Sequence, residues 1–453
     1  MALIDVDSYD GMKSELELFA LPPTQTSIEE TRIEQFDPLT SLDRSGPVHF
    51  KVQVGDDCYI DPNEVYLYLK SRILDENGNK MDEKDDANQV KIGSIVYPVN
   101  YFIASCFRDV EVYLNSVVVG GNTGLYPYQA YMTALLSYSH EVKDSLLKCG
   151  LYAEDRDNMD TVHPSSDAED KKNAGAKFRF NQTKYSKSFE CIGRIHSEIF
   201  DQKKLLPNRV QMTIKLIRHD PNFVLMSQKA DAKYRINIDE ARLYVTVKKI
   251  APHVREAHEQ RLLTTNAKYP MKRSHLLFFS RAGGISDLSE PNVVNGVLPT
   301  KMVIGLVETD AFNGHIQKNP FNFQHFNISQ LSVRKNGQEI PYEPLFFNFT
   351  DADNPQTVMG YFNMMHSLGF WNRNKSNAID PVNMYKKGYS LFCVNLNPDM
   401  SNGGSRFNLQ QTGNLHLVLK LKQTTTKAIT IVCFLEFDAV MEIDKNRKVI
   451  YNE

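Results

Sequence analysis

The sequence predicts an all-β protein, specifically a double jelly roll: two eight-stranded antiparallel β-sandwiches with short helices in their loops. Two strand-like segments close the chain over residues 413–443, a similar pair occupies residues 210–250, and the same order of elements precedes each pair. The 453 residues suffice for two units of about 200 residues each. A unit of that size with one helix in a loop fits a jelly roll better than an immunoglobulin sandwich of about 100 residues.

The closing segments have the pattern of buried or half-buried strands. Leu415, Leu417 and Leu419 alternate with other residues, so they lie on one face of an extended chain. After the polar stretch 423–427, residues 429–437 are rich in β-branched and aromatic side chains and contain no Pro or Gly. We predict two long antiparallel strands joined by this turn.

Four regions follow from these patterns. The first, residues 1–46, is an N-terminal arm with an acidic amphipathic piece, several prolines and little core of its own, which is either disordered or laid across a neighbouring subunit. Residues 47–250 form the first jelly roll and residues 276–453 the second. Residues 251–275 form a helical linker, because residues 252–270 have helical propensity between two prolines.

In the first jelly roll, the Asn115-Ser116 pair predicts a tight hairpin over residues 109–120, because Asn tolerates positive φ. A short helix is predicted over residues 126–138. The polar stretches 76–89 and 153–177 predict long exposed loops. The remaining strands are predicted over residues 48–54, 65–73, 188–199, 210–216 and 241–250.

The second half repeats this plan. Asn336-Gly337 is a strong type I′ turn signal, which predicts a hairpin over residues 328–340 with Val333 opposite Ile340. A helix over residues 358–368 follows Pro355. Further strands are predicted over residues 276–280, 301–307 and 388–397.

Composition excludes several classes of protein. A formal charge of −3 and a pI near 6.5 provide no global field that attracts nucleic acid or an anionic membrane. No segment has the roughly 18 apolar residues of a membrane span, and no secretory signal is visible. The six scattered cysteines include no CxxC pair, so we predict small core hydrophobes in a reducing compartment.

Motifs that would carry chemistry are incomplete. His258-Glu259 begins a zinc-protease pattern, but Leu262 occupies the position of the second His. His416 stands alone, without the second His and the Glu of a metal-binding cupin. Asp351 and Asp353 have calcium-loop spacing but lack the Gly and distal Glu of an EF-hand. We therefore predict no enzyme, and no catalytic, cofactor-binding or metal-binding residues. A lectin-like binding module and a structural subunit both remain open.

Several long segments of the sequence resemble the major capsid protein of Polinton/Maverick elements and adintoviruses. They are spread over most of the chain, from the N-terminal arm to the last strand. These segments are LFALPPTQTS at 18–27, residues 110–138 with VEVYLNSVVV and YPYQAYMTALLSY, NAKYPMKR at 266–273, DAFNGHIQKNPFNFQHFNI at 310–328, GYSLFCVNLNPD at 388–399, and residues 407–444 ending in FLEFDAVMEID.

The resemblance implies a double jelly-roll hexon. Three chains of such a protein form a pseudo-hexameric capsomer, and capsomers tile an icosahedral shell around double-stranded DNA without sequence-specific binding. It further implies neighbouring capsomers, penton and minor capsid proteins as partners, no cofactor, and assembly inside the host cell into a virion capsid. The loops at 74–91 and 153–177 would cover the outer end of the capsomer or bind a neighbouring subunit. A single jelly-roll penton protein is the alternative within the same elements.

Overall fold

The computed structural model describes residues 7–8, 11–43, 45–83, 91–120, 123–351, 353–382, 385–401 and 406–451. Within these ranges the chain is built mainly of β-strands, with short helices in the connections. The strands are β1 (Ile28–Phe36), β2 (Val48–Val52), β3 (Cys58–Asp75), β4 (Val96–Pro98), β5 (Phe107–Leu114), β6 (Val117–Val118), β7 (Phe189–Arg194), β8 (Met212–Arg218), β9 (Leu225–Ser227), β10 (Tyr234–Ile250), β11 (Ala267–Arg281), β12 (Glu290–Val297), β13 (Lys301–Glu308), β14 (Ile328–Lys335), β15 (Gln338–Phe346), β16 (Leu391–Asn395), β17 (Thr412–Leu421), β18 (Ile429–Ile443) and β19 (Val449–Tyr451). The α-helices are α1 (Phe102–Ser105), α2 (Tyr126–Ser137), α3 (His140–Asp144), α4 (Ala174–Thr183), α5 (Pro221–Val224), α6 (Pro252–Leu262), α7 (Thr309–Phe312) and α8 (Val358–Ser367).

The strands form two sandwiches with the same topology. In the first sandwich one sheet has the order β1-β10-β3-β7 and the other β2-β8-β5-β6. In the second the orders are β11-β18-β13-β16 and β12-β17-β14-β15, with β19 added beside β18. Strands β4 and β9 pair with each other in a separate two-stranded sheet. When the eight sandwich strands of each unit are numbered along the chain, both units read 1-8-3-6 and 2-7-4-5. This confirms the predicted double jelly roll.

Alternation along the strands builds the two cores. In the first sandwich, Phe50 of β2 and Ile214 of β8 lie on the inner face of one sheet, and Leu69 of β3 and Val245 of β10 on that of the other; all four are fully buried. A strand with one face toward a core has a side-chain period of two, so the polar residues between them point outward. Strand β18 is buried on both faces over its first seven residues.

Both predicted tight hairpins are present. Asn115 and Ser116 have φ of 44° and 71° between β5 and β6, and Asn336 and Gly337 have φ of 51° and 83° between β14 and β15. Positive φ at both central positions is the type I′ geometry, which matches the twist of the flanking strands. Val333 lies opposite Ile340, as predicted.

The closing pair differs from the prediction. Strands β17 and β18 are not hydrogen-bonded to each other, because β17 pairs with β12 and β14 while β18 pairs with β11 and β13. The earlier pair behaves in the same way, with β8 and β10 in opposite sheets. Both predicted strands are present, but residues 423–427 carry the chain from one sheet to the other and do not join neighbours within one sheet. Side-chain alternation identifies a strand but not its partner.

The predicted arm and linker are shorter than expected. Strand β1 lies inside the predicted arm 1–46 and pairs with β10 at the edge of the first sheet. Strand β11 begins at Ala267, within the predicted linker 251–275, and pairs with β18 along its whole length. The β1 sequence, IEETRIEQF, lacks apolar alternation because most of its side chains are exposed, so only backbone pairing defines it.

Residues 153–177 are only in part the exposed loop that their polar composition predicted, since residues 167–170 are exposed and others are buried. Asp155, Thr161 and Asn173 are buried, and α4 begins at Ala174. Buried polar groups of this kind are hydrogen-bonded, which compensates for the loss of water. The other predicted loop, 76–89, lies in part outside the described residues, at 84–89.

Candidate functional site

The residues considered for metal or catalytic chemistry have structural partners. His258 lies on α6, where its Nδ1 is 3.1 Å from the Tyr59 hydroxyl. Glu259 pairs with Arg447, whose Nε also donates to the Asn208 carbonyl at 2.9 Å. The α6 motif therefore ties the linker to both sandwiches. In the described part of the chain, no group of three His, Cys, Asp or Glu side chains could hold a metal ion.

The other two candidates lie far apart in the fold. His416 is on β17 opposite Arg334 of β14. Asp351 accepts hydrogen bonds from the backbone N–H groups of Asp353 and Asn354, so it stabilises an acidic turn. The structure brings neither residue to the other or to His258.

All six cysteines are free thiols, and five of them are buried, with Cys149 exposed. Burial raises the pKa of Cys106 and of Cys393 to about 12, because the thiolate would lose its hydration. A thiol of such high pKa is a poor nucleophile at neutral pH. These side chains act as small core residues.

A buried polar junction joins the two sandwiches. Its centre is an ion pair between Arg179 of α4 and Asp155, at 2.6 Å, with side-chain exposures of 1% and 0%. Arg179 also donates to the carbonyl oxygens of Pro98 and Ala153. From the second half of the chain, Asn319 Nδ2 donates to Asp155 Oδ2 at 3.3 Å and the Tyr389 hydroxyl donates to the Asp155 carbonyl at 2.7 Å.

Asp160 extends this polar junction. Its carboxylate accepts hydrogen bonds from the Asn319 backbone N–H and from Asn322 Nδ2, each at 2.8 Å. Burial raises the pKa of Asp160, and these two hydrogen bonds partly offset that effect. Segment 153–160 is thus held by side chains of both halves.

Aromatic rings complete the junction on the side of α2. Tyr131 stacks on Phe321 with ring centroids 4.3 Å apart, and Tyr128 stacks on Phe312 at 5.5 Å. Such pairs contribute roughly 0.5–1.5 kcal/mol each beyond the burial of their area. Helix α2, predicted from its sequence, therefore serves as the apolar contact between the sandwiches.

Lys143 of α3 adds a cation to the same boundary. Its Nζ donates to the carbonyl oxygens of Leu135, at 2.6 Å, and of Asn377, at 2.5 Å. Burial lowers the pKa of this ammonium group to about 8, although the charge of Glu154 acts in the opposite direction. Carbonyl dipoles from both halves of the chain therefore stabilise one buried lysine.

Two of the apolar surfaces that the described residues leave open to solvent adjoin at Ser27. We call residues 11–27 the exposed arm, since every one of them is solvent-exposed, including Phe19 at 97% and Leu21 at 90%. We call the cleft between α6, β11 and segment 204–207 the linker groove; its volume is about 480 Å³. Tyr59, Leu262 and Tyr269 line its floor.

The fold is two jelly rolls in tandem, connected by the polar junction, and several solved viral structures share this fold. A chain of the Sputnik virophage cryo-EM structure has the same fold, with a TM-score of 0.64, 12% identity, and coverage of 100% of this chain and 94% of that one. The faustovirus major capsid protein aligns with a TM-score of 0.56 at 8% identity, covering 94% and 92% of the two chains. The mavirus major capsid protein gives 0.52 at 10% identity, covering 100% and 97%. The faustovirus and mavirus neighbours are described as major capsid proteins.

At the level of sequence, a Caenorhabditis elegans protein described as uncharacterized protein F54H12.2 is 24% identical over 435 residues, which cover 95% of this chain and 99% of that protein. No protein-family profile matches the sequence. No helix in the described ranges is both long enough and apolar enough to cross a membrane.

Sequence reasoning missed the polar junction. Asp155, Asn319 and Asp160 lie in segments whose composition is typical of solvated loops. One sequence signal could have indicated burial in this region. Residues 321–326, FNFQHF, contain three Phe side chains within an otherwise polar stretch, and clustered Phe side chains are usually buried in a core.

Proposed function

We propose that the protein is a major capsid protein that forms homotrimeric, pseudo-hexameric capsomers. The observation that carries the proposal is the identical strand order of its two sandwiches, fixed to each other by the junction around Asp155 and Arg179. Three copies of a chain with two similar domains present six near-equivalent sides. Such a trimer fits a sixfold position of a closed shell. This requirement explains why the chain contains two copies of the jelly-roll unit.

The likeness to viral capsid proteins over nearly the whole chain supports this function. Within that class we assign the protein to Polinton/Maverick elements or adintoviruses, on the segments quoted above. The relative from an animal, Caenorhabditis elegans, agrees with an element carried in animal genomes. The expected partners are neighbouring capsomers with penton and minor capsid proteins, in a virion assembled inside the host cell.

We propose that the protein encloses DNA and does not recognise its sequence. Its formal charge of −3 gives no basic field for phosphate binding. We propose that the shell surrounds double-stranded DNA without sequence-specific contacts.

We also propose that the chain is divided into a first jelly roll, a linker and a second jelly roll, with boundaries near residues 250 and 267.

Solution mass tests the proposal. Light scattering of the purified chain should give about three times the 51.8 kDa of one chain, and negative-stain images of the same peak should have a hexagonal outline. A stable monomer or dimer that binds glycans would instead favour the lectin-like module. The single jelly-roll penton alternative is wrong for this chain, because both units are complete sandwiches.

A further inference from the structure

The exposed arm is an apolar segment without cover. Met12, Leu16 and Leu18 are 64–76% exposed, and Phe19 and Leu21 are more so. Monomeric proteins rarely keep several large apolar side chains together in water unless the segment binds something. Glu15 and Glu17 lie among these residues, with Lys13 before them.

The linker groove has matching chemistry. Its floor is apolar, and its lining includes the cationic side chains of Lys204, Arg261 and Lys268, of which Lys268 lies 4.0 Å from the Glu442 carboxylate. Lys204 Nζ donates to the Lys268 carbonyl at 2.8 Å, which holds two of these residues together. An apolar cleft with a basic rim suits a segment that alternates leucine with glutamate, as SELELF does.

The position of the groove relative to the exposed arm indicates which segment binds in it. Ser27 and Ile28, at the root of the exposed arm, themselves line the groove, while residues 11–26 of the same chain do not line it. Seven residues separate Phe19 from Ser27, and an extended chain spans at most about 3.6 Å per residue, so the arm reaches roughly 25–30 Å. That reach is enough to enter the groove of an adjacent copy.

We propose that the exposed arm of each chain binds in the linker groove of a second copy. This interface rests on the proposed self-assembly, and it specifies which residues of adjacent copies contact each other. Each copy gives an arm and receives one, which is a head-to-tail interface that closes into a ring. Phe19 and the neighbouring leucines contact the floor, and Glu15 and Glu17 face the basic rim.

Disulfide trapping in the full-length chain tests the interface. Cys149→Ser removes the exposed thiol, and Phe19→Cys is then combined with Val254→Cys, which lines the groove on α6. Mild oxidation should yield covalent dimers and larger species on a non-reducing gel. The matched control combines Phe19→Cys with Glu256→Cys, which is exposed on the opposite side of α6 and should give little linkage.

The outcomes separate the two proposals. A link formed within one chain, no link, or equal linkage in both variants would overturn the arm interface. Light scattering before oxidation reports the trimer independently, so a trimer without linkage would reject the arm interface alone. A charge exchange adds specificity: Arg261→Glu should reduce linkage, and the added Glu17→Arg should restore it.

Discussion

Arg179 and Asp155 illustrate what a fully buried ion pair does at the residue scale. The Arg179 charge is compensated by Asp155 and by the carbonyl oxygens of Pro98 and Ala153, and the Asp155 charge by Arg179 and by Asn319 from the second half of the chain. Such a pair need not be more stable than an apolar replacement of equal volume. Its directed hydrogen bonds do, however, fix which surfaces of the two sandwiches meet.

Removing one partner of this pair should be severely destabilising. We expect Asp155→Ala to lower the free energy of unfolding by about 3–5 kcal/mol, because the Arg179 charge would remain buried without its counter-ion. The midpoint of urea denaturation measures the change. Asp167→Ala, which removes the exposed partner of Lys177, is the control and should change stability by under about 1 kcal/mol. Equal effects of the two substitutions would contradict the structural role of the junction.

Three half-buried histidines predict acid sensitivity. Desolvation lowers the pKa of His196, His219 and His325 to about 4, and the charge of Arg194 acts in the same direction on His196. Between pH 6.5 and about 4 the unfolded chain therefore binds more protons than the folded one, so stability falls as the pH falls through this window.

Each of these histidines contributes up to about 1.4 kcal/mol per pH unit. We expect the urea midpoint to decrease between pH 7 and pH 4.5, and His196→Gln to reduce the slope of that decrease even if it lowers stability at pH 7. His253→Gln, at an exposed position, should leave the slope unchanged. A pH-independent midpoint would refute the role of the half-buried rings.

At the scale of elements, local turn chemistry and long-range pairing differ in how well sequence specifies them. The turns at Asn115-Ser116 and Asn336-Gly337 and the helices α2 and α8 follow from a few adjacent residues, and all were predictable. Strand β1 carries no apolar alternation, since it is an edge strand whose charged side chains also protect it from pairing with other chains. The sheet to which β17 and β18 belong depends on the partner strands β11 to β14, which lie 80 or more residues away.

The second hairpin gives a local test. Gly337 has φ of +83° and open space around its Cα, so Gly337→Val should destabilise through backbone strain alone, by roughly 1–2 kcal/mol. Gly46 also has open space but no positive φ. Gly46→Val should therefore cost much less, and equal shifts in the thermal midpoint would argue against the type I′ turn.

At the scale of the whole molecule, the junction makes one body of two sandwiches. Hydrogen bonds of Asp155 and Asp160, the rings around Tyr131 and the ion pair of Arg447 with Glu259 all connect residues far apart in sequence. The fold class could be predicted because each half repeats the same local signals. The junction could not, since its polar residues resemble loops until their partners are known.

Cutting the chain should therefore leave the molecule intact. We predict that cleavage at a protease site inserted between Thr264 and Thr265, both exposed, yields two fragments that still co-elute as one particle. Size-exclusion chromatography with a denaturing gel checks this result. The same cut in an Asp155→Ala chain should release the fragments, and separation in the parent chain would mean that the linker alone holds the halves together.

The pairing of first and last strands has a consequence for synthesis. Ile28 lies opposite Ile250, and Ala267 opposite Ile443, so neither sandwich can close until its eighth strand has left the ribosome. At roughly 5–20 residues per second, about 10–40 s separate these two moments. During that interval the finished first sandwich presents Asp155, Asp160 and Tyr131 to the emerging chain. The second half of the chain thus folds against a first sandwich that is already complete. Strands of the two similar halves are therefore not unfolded at the same time and cannot pair with each other.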